Sequence, residues 1–132
     1  MIYYVYTDGA SSGNPGNSGI AYVILNEDKK LIEDYSEYIG VATNNVAEYT
    51  ALLKAVQRVV ALNPTEVHFY LDSELVVKQM NGQYTVGDSK LYPIYTQIKT
   101  LLKNIKYTFV HIRRENNGYA DMLAKDACYN QV

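Results

Sequence analysis

Residues 2–25 read IYYVYTDGASSGNPGNSGIAYVIL and contain two extended runs separated by a turn-rich loop. The runs Ile2 to Thr7 and Gly19 to Leu25 are rich in Tyr, Val and Ile, which favour strands. Gly, Ser, Asn and Pro crowd the segment between them and predict a loop. A third extended run, Leu31 to Ile39, follows a short turn at Asn26 to Lys29. This order predicts an antiparallel meander of three strands.

Helical spacing replaces the extended pattern after the third run. Val46, Leu53, Val56 and Val60 recur on one face of a helix that ends before Asn63-Pro64, and Asn45 with Glu48 fits a capping-box start. The remaining predicted elements are a strand at Glu66 to Leu71, a short helix capped by Ser73 and running to Met80, a helix marked by Leu91, Ile94, Ile98, Leu101 and Leu102, a strand at Tyr107 to Ile112 and a helix marked by Ala120, Leu123, Ala124 and Ala127. The order β-β-β-α-β-α-α-β-α predicts an α/β domain with a mixed five-stranded sheet and helices on its faces.

The composition is that of an ordinary globular domain. The 132 residues include 12 Lys+Arg and 14 Asp+Glu, a net charge of -2, and this length favours a single domain over residues 1–132. The single Cys128 forms no internal disulfide, and the first residues lack a basic, apolar leader, so we expect a cytoplasmic protein without a membrane segment. Overall charge cannot hold this chain on nucleic acid, so such binding needs a local basic patch or metal ions.

Four acids fall at the predicted ends of elements. Asp8 closes the first strand, Asp72 follows the fourth, and Glu48 and Asp121 lie in the first turns of two helices. The carboxyl ends of parallel strands and the starts of the following helices meet at one sheet edge, so all four could converge there. Carboxylates suit Mg²⁺, and two ions about 3.5 to 4 Å apart could activate water and stabilise the leaving oxygen of a phosphodiester.

Each acid also has a simpler explanation. Asp8-Gly9 is a common turn dipeptide, and Glu48 could serve only the capping box. Asp72 and Asp121 could merely favour the starts of helices through the helix dipole. The argument for a site therefore rests on the coincidence of all four in one order.

Two further groups stand near these acids. His111 ends the fifth predicted strand and could act as a general acid or base, or could be a structural histidine at the sheet end. Arg113 and Arg114 follow it and could contact phosphate, or could pair with Glu115 on the surface. His68 lies inside an apolar strand and is interpreted as structural.

These residues, taken in order, resemble the ribonuclease H family, type 1. The resemblance spans nearly the whole chain and rests on four motifs: Tyr6-Thr7-Asp8-Gly9-Ala10 with Gly13-Asn14-Pro15-Gly16, Thr43-Asn44-Asn45-Val46-Ala47-Glu48, Asp72-Ser73, and Asn117-Gly118-Tyr119-Ala120-Asp121-Met122-Leu123-Ala124. It implies a sheet of order 3-2-1-4-5 and an endonuclease that cuts the RNA strand of RNA/DNA hybrids with Mg²⁺ or Mn²⁺. We expect the chain to be a monomer. The products would carry 3′-hydroxyl and 5′-phosphate ends.

The resemblance also implies a role for particular residues. The four metal-binding carboxylates of the family correspond to Asp8, Glu48, Asp72 and Asp121, and its substrate contacts correspond to Gly9, Asn14, Thr43, Asn44 and Asn45. The loop between His111 and the last helix is short, as in the branch that has an arginine there, so Arg114 is a candidate beside His111. No basic protrusion is present, because Asn81 to Leu91 contains only Lys90 as a cation, and we expect salt-sensitive hybrid binding.

Two rival functions remain open from the sequence. A non-catalytic module that binds hybrids has little reason to keep four clustered carboxylates, which repel one another unless cations neutralise them. A metal-dependent exonuclease would differ from an endonuclease in failing to cut a hybrid whose RNA ends are blocked.

Overall fold

The computed structural model describes residues 1–131. One five-stranded sheet forms the centre, with the order β3-β2-β1-β4-β5. The strands are β1 (Ile2–Ser11), β2 (Gly16–Leu25), β3 (Leu31–Ala42), β4 (Glu66–Leu71) and β5 (Lys106–His111), and the helices are α1 (Asn44–Val60), α2 (Glu74–Met80), α3 (Tyr92–Leu101) and α4 (Gly118–Asn130). A 3₁₀ turn at Arg114–Asn117 leads into α4. The predicted element order and the mixed sheet are both confirmed.

The central strand β1 joins the two halves of the sheet. It runs antiparallel to β2, with Asp8 opposite Ala21, and parallel to β4, with Thr7 opposite Leu71. Because β4 ends at Leu71, the residue that follows it, Asp72, emerges beside Asp8. The parallel half of the sheet thus presents strand ends and helix starts at one edge, as the sequence indicates.

Helices cover the two faces of the sheet unequally. On one face α1 packs against β1 and β2, and α3 packs against α1, so that Val5, Leu52 and Phe69 lie in a core that excludes solvent. On the other face α4 packs against β2 and β1, next to Tyr6 and Val23. No helix within residues 1–131 is both long enough and apolar enough to span a membrane.

Two glycines of the β1-β2 hairpin let these helices approach the sheet backbone closely. A Cβ on Gly9 would lie 2.5 Å from the carbonyl carbon of Ala47 and 2.6 Å from the amide nitrogen of Glu48 in α1. A Cβ on Gly19 would collide in the same way with the backbone of α4 at Ala124 and Cys128. Real Cβ atoms do not come so near to backbone, so any larger residue would move either helix outward.

The structure corrects several predicted boundaries. Strand β1 continues through Gly9 to Ser11, because Ser11 still pairs with Ser18 despite the turn-like composition. Asp8 therefore lies within β1 and does not close it. The first helix is capped by Thr43, whose Oγ1 accepts the Val46 N–H at 3.2 Å, and the Asn45 capping box was wrong.

Candidate active site

Asp8 and Asp72 are contributed by neighbouring parallel strands. Asp8 projects from the middle strand and is 3% exposed, and Asp72 directly follows β4 and is partly buried. Alternation along β1 and β4 places Tyr6 with Asp8, and Tyr70 with Asp72, on the sheet face opposite Val5. The parallel pairing of β1 with β4 is therefore enough to bring these two acids together.

Glu48 reaches the same place from α1. It lies in the second turn of that helix, one turn later than predicted, because the helix already begins at Asn44. Its Oε1 accepts a hydrogen bond from the Gly9 N–H at 3.2 Å, so its side chain is directed towards β1 and does not cap its own helix. The close approach at Gly9 therefore also fixes the height of this carboxylate above the strand.

The first three acids form a tight group, and the fourth adjoins it. Carboxylate oxygens of Asp8, Glu48 and Asp72 all lie within 4.8 Å of one another. Asp121, in the first turn of α4, is within hydrogen-bonding reach of Asp8, and its Oδ2 lies 3.1 Å from Lys125 Nζ. All four acids that the sequence singles out thus meet at one edge of the sheet.

The protonation of this group is strongly perturbed. Burial, and then the neighbouring Glu48 carboxylate, raise the pKa of Asp8 far above its usual range. Burial also raises the pKa of Glu48, although its hydrogen bonds with Asp8 and Gly9 oppose that rise. Burial acts in the same direction on Asp121, but hydrogen bonds with Asp8 and Lys125 outweigh it, and the pKa of Asp121 falls below its usual value. Without added cations the group therefore retains protons.

The donor set fits a hard divalent cation. Glu48 Oε2 and Asp121 Oδ1 are buried and receive no hydrogen bond from any group outside the four acids. Buried acceptors without partners are costly, and a bound cation would satisfy them. Only oxygen atoms are available, which suits Mg²⁺ or Mn²⁺ and disfavours metals that prefer nitrogen or sulfur ligands.

Asn117 is a positioning residue that sequence reasoning missed as part of the site. It is 2% exposed, and its Nδ2 donates to the Thr7 carbonyl at 2.8 Å and to Asp72 Oδ2 at 3.3 Å. One amide thereby ties the start of α4 to the middle of β1 and to the residue that follows β4. Its place four residues before Asp121, one helical turn away, is the signal that could have identified it.

Arg114 and His111 are separated by the structure. Arg114 lines a concave pocket of about 310 Å³ together with Gly9, Asn44, Glu48 and Lys125, and its charge lowers the pKa of both Glu48 and Asp121. His111 is exposed at the end of β5, on the side of Glu74 of α2. Of the two loop candidates, Arg114 is therefore the one beside the acids.

The polar loop and the helix start adjoin the same pocket, which Asn44 lines. Asn14 Oδ1 accepts the Asn44 N–H at 3.0 Å, which links the β1-β2 loop to the first residue of α1. Thr43 is occupied as the helix cap, and Asn45 is exposed on the helix surface. Gly9 lines the pocket with its backbone. Asn14 and Thr43 thus both have a side-chain oxygen engaged by a backbone N–H of the α1 start.

Comparison with known proteins agrees with this geometry. Residues 6–127 match a family model described as reverse transcriptase-like. A bifunctional protein of Mycobacterium tuberculosis is 39% identical over 131 residues, which is 96% of this chain and 35% of that protein, so the chain spans about a third of that relative.

Two solved structures are similar over almost their whole length. RNase H1 from Halobacterium salinarum is 32% identical with a TM-score of 0.93, covering 98% of this chain and 99% of that one. LC11-RNase H1, isolated from compost and crystallised in complex with an RNA/DNA hybrid, is 38% identical with a TM-score of 0.92, covering 98% of both chains. Sequence motifs, sheet order and these matches agree, and the chain belongs to the ribonuclease H family, type 1.

Proposed function

We propose that this chain is a metal-dependent endonuclease that hydrolyses the RNA strand of RNA/DNA hybrids. The observation that carries the proposal is the convergence of four acids, three of them with oxygens within 4.8 Å of one another, beside a pocket lined by two cationic side chains. A group of buried carboxylates that holds extra protons in the absence of cations is suited to capture divalent ions. The hybrid-bound relative supports the choice of substrate.

Asp8, Glu48, Asp72 and Asp121 would hold two Mg²⁺ or Mn²⁺ ions. When bound, such ions supply an activated water and stabilise charge on the leaving oxygen, which for this family gives 3′-hydroxyl and 5′-phosphate ends. Asp8 neighbours Glu48, Asp72 and Asp121 and would therefore be the central ligand of the group. Asn117 would keep Asp72 oriented through its amide hydrogen bond at 3.3 Å.

Contacts with the nucleic acid would come from the pocket beside the acids. The Arg114 guanidinium and Lys125 ammonium would attract the scissile phosphate, and their charge would partly offset the acids. The backbone at Gly9, together with Asn14, Thr43, Asn44 and Asn45, would lie against phosphate and sugar. A 2′-hydroxyl within reach of Glu48 and these short polar groups would distinguish RNA from DNA.

The proposal predicts internal cleavage of a hybrid whose labelled RNA strand has blocked ends. With Mg²⁺ or Mn²⁺ the wild-type chain should produce fragments, and Asp72→Asn should lower the rate by about 10³-fold, since several kcal/mol of transition-state stabilisation are lost. Glu66→Gln, at the other end of β4, is the matched control and should cleave as wild type does. Unfolding curves establish that both variants fold.

Three outcomes would count against this assignment. Binding without product at micromolar enzyme in either metal would indicate a hybrid-binding module. Cleavage only when the RNA ends are free would indicate an exonuclease. Equal activity of Asp72→Asn and wild type would show that the Asp72 carboxylate is not needed for cleavage.

A further inference from the structure

The pocket beside the acids extends beyond them. Its remaining lining residues, which the proposed mechanism does not use, are Ala10, Ser11 and Tyr129. Ser11 is the last residue of β1, and Tyr129 lies one residue before the end of α4. These are the two elements that also carry Asp8 and Asp121. The pocket therefore has an inner end at the acids and an outer end at Ser11 and Tyr129.

Strand β1 and helix α4 run side by side along this pocket. The start of α4 is tied to the Thr7 carbonyl by the Asn117 amide at 2.8 Å. Further along, the backbone of Cys128 lies against Gly19, which pairs with Ala10 of β1. Movement away from the acids along β1 is therefore also movement towards the C-terminal end of α4.

The outer end is far enough from the acids to meet a different nucleotide. From Asp8 to Ser11 the strand advances about 10 Å at roughly 3.3 Å per residue, and from Asp121 to Tyr129 the helix advances about 12 Å at roughly 1.5 Å per residue. A nucleic-acid strand advances about 3.4 Å per nucleotide along its axis. A strand with its scissile phosphate at the acids would therefore place a phosphate about three nucleotides away near Tyr129.

Tyr129 is the side chain at the outer end that is free to bind a ligand. It is 66% exposed, and its hydroxyl has no hydrogen-bond partner among residues 1–131. The Ser11 hydroxyl, in contrast, is bonded to the Ser18 hydroxyl at 2.7 Å. On the same helix, the hydroxyl of Tyr119 donates to Asp34. The fold thus uses these other hydroxyls and leaves that of Tyr129 for a ligand.

The charge of the pocket favours a phosphate as that ligand. Lys125 lies one helical turn before Tyr129, on the same face of α4, and Arg114 lines the same pocket. Both cations attract a phosphate backbone to this surface. A tyrosine hydroxyl donates well to a phosphate oxygen, and a hydrogen bond to a charged acceptor is roughly twice as strong as one between neutral groups.

We infer that Tyr129 is a substrate-binding residue whose hydroxyl donates to a phosphate of the RNA strand about three nucleotides from the scissile phosphate. The inference rests on the proposed function, because it concerns the hybrid that the acids would cut. The contact is remote from the reacting atoms and is made equally in the ground state and the transition state. Its loss should therefore raise KM and leave kcat unchanged.

Steady-state cleavage of a hybrid by Tyr129→Phe tests the contact. Removal of the hydroxyl should raise KM about fivefold at constant kcat. Tyr35→Phe is the matched control, because it removes a hydroxyl that bonds to Glu37 on the edge strand β3, and it should leave both constants unchanged. Unfolding curves establish that both variants fold.

Neutral phosphates locate the contact. The cleaved bond of a short hybrid is mapped first, and a single methylphosphonate, which lacks the phosphate charge, is then moved along the RNA strand. At about three nucleotides from the cleaved bond it should raise the KM of wild type and leave that of Tyr129→Phe unchanged, because the hydrogen bond is already absent there.

The outcomes separate this inference from the proposed function. Equal KM for Tyr129→Phe and wild type, or a methylphosphonate effect that is the same in both proteins at every position, would overturn the inference and leave the nuclease assignment intact. A matching loss found only with phosphates of the DNA strand would also overturn it. No cleavage by wild type in either metal would overturn the proposed function, and this inference with it.

Discussion

Strand β4 has an acid at each end, and the fold treats the two ends in opposite ways. At its start, Glu66 Oε1 lies 3.2 Å from Lys106 Nζ and its Oε2 lies 2.5 Å from His68 Nε2. Both hydrogen bonds lower the pKa of Glu66, and the one from Lys106 contributes most. Just past its end, Asp72 faces Asp8 and Glu48, whose pKa values are raised.

The difference separates acids that serve the fold from acids that serve a site. Glu66 receives its counter-charge from the neighbouring strand, so folding itself neutralises it. The acids at the other end receive only the partial help of Arg114 and Lys125, so their counter-charge must come from solution. The stability of the chain should therefore depend on cations at one end of β4 and not at the other, and four measurements examine that contrast.

The largest effect is expected from Asp8→Asn in metal-free buffer. The amide removes a buried, crowded carboxyl group without changing its shape, so the free energy of unfolding should rise by about 3 kcal/mol. Chemical denaturation in EDTA measures this change. Added Mg²⁺ should stabilise wild type more than Asp8→Asn. A destabilised Asp8→Asn would show that the acid group carries no repulsive cost.

Removal of the Asn117 amide should have the next largest effect. Asn117→Ala leaves the Thr7 carbonyl without its donor and frees Asp72, which should cost about 1–2 kcal/mol of stability. If the residue positions Asp72, Mn²⁺ affinity measured by calorimetry should fall as well. Asn81→Ala, which removes another amide hydrogen bond to a backbone carbonyl, is the matched control and should leave Mn²⁺ affinity unchanged. Unchanged affinity in both variants would make Asn117 merely structural.

The pH dependence of stability should have a definite sign. Because the pKa values of Asp8 and Glu48 are raised from 3.8 and 4.5, the folded state holds more protons than the unfolded state above those values. Metal-free stability should therefore fall as pH rises from about 5 to about 7, by up to about 1.4 kcal/mol per pH unit for each extra proton. Unfolding in EDTA at several pH values measures this slope, and Asp8→Asn should make it shallower. A free energy of unfolding that increases between pH 5 and pH 7 would contradict the electrostatic account.

The smallest effects separate Arg114 from His111. Arg114→Gln removes the cation beside Glu48 and should lower hybrid cleavage about tenfold, equivalent to one lost charge-assisted contact. His111 lies on the other side of Asp72, near Glu74. His111→Asn should therefore change the cleavage rate little. Steady-state cleavage rates at two salt concentrations provide the comparison. A larger loss from His111→Asn would reverse the assignment of the loop residue.

The fold and the four acids were predictable because both follow from local pattern and order. Extended runs, helical spacing and the positions of strand ends place Asp72 and Asp121 without knowledge of any contact. Strand β1 was predicted too short because Gly9 to Ser11 look like a turn, yet they pair with β2 across the sheet. Tertiary pairing overrode local composition there.

The supporting residues were not predictable for a different reason. The role of Asn117 depends on contacts with Thr7 and Asp72, which are far away in sequence. The hydrogen bond from the Gly9 N–H to Glu48 was likewise not evident from the sequence, although Glu48 itself was predicted as one of the four acids. Residue type indicates what a side chain is able to do, whereas its partner is decided only once the sheet has formed.

The two hairpin glycines have a consequence for which substitutions the acid group tolerates. Gly9 and Gly19 let bare backbone touch the helices that carry Glu48 and Asp121, so main-chain contact sets the distances among the ligands. Core substitutions that keep both helices in place should therefore leave that spacing unchanged. A side chain at Gly9 or Gly19 should instead displace the helix that carries Glu48 or the helix that carries Asp121.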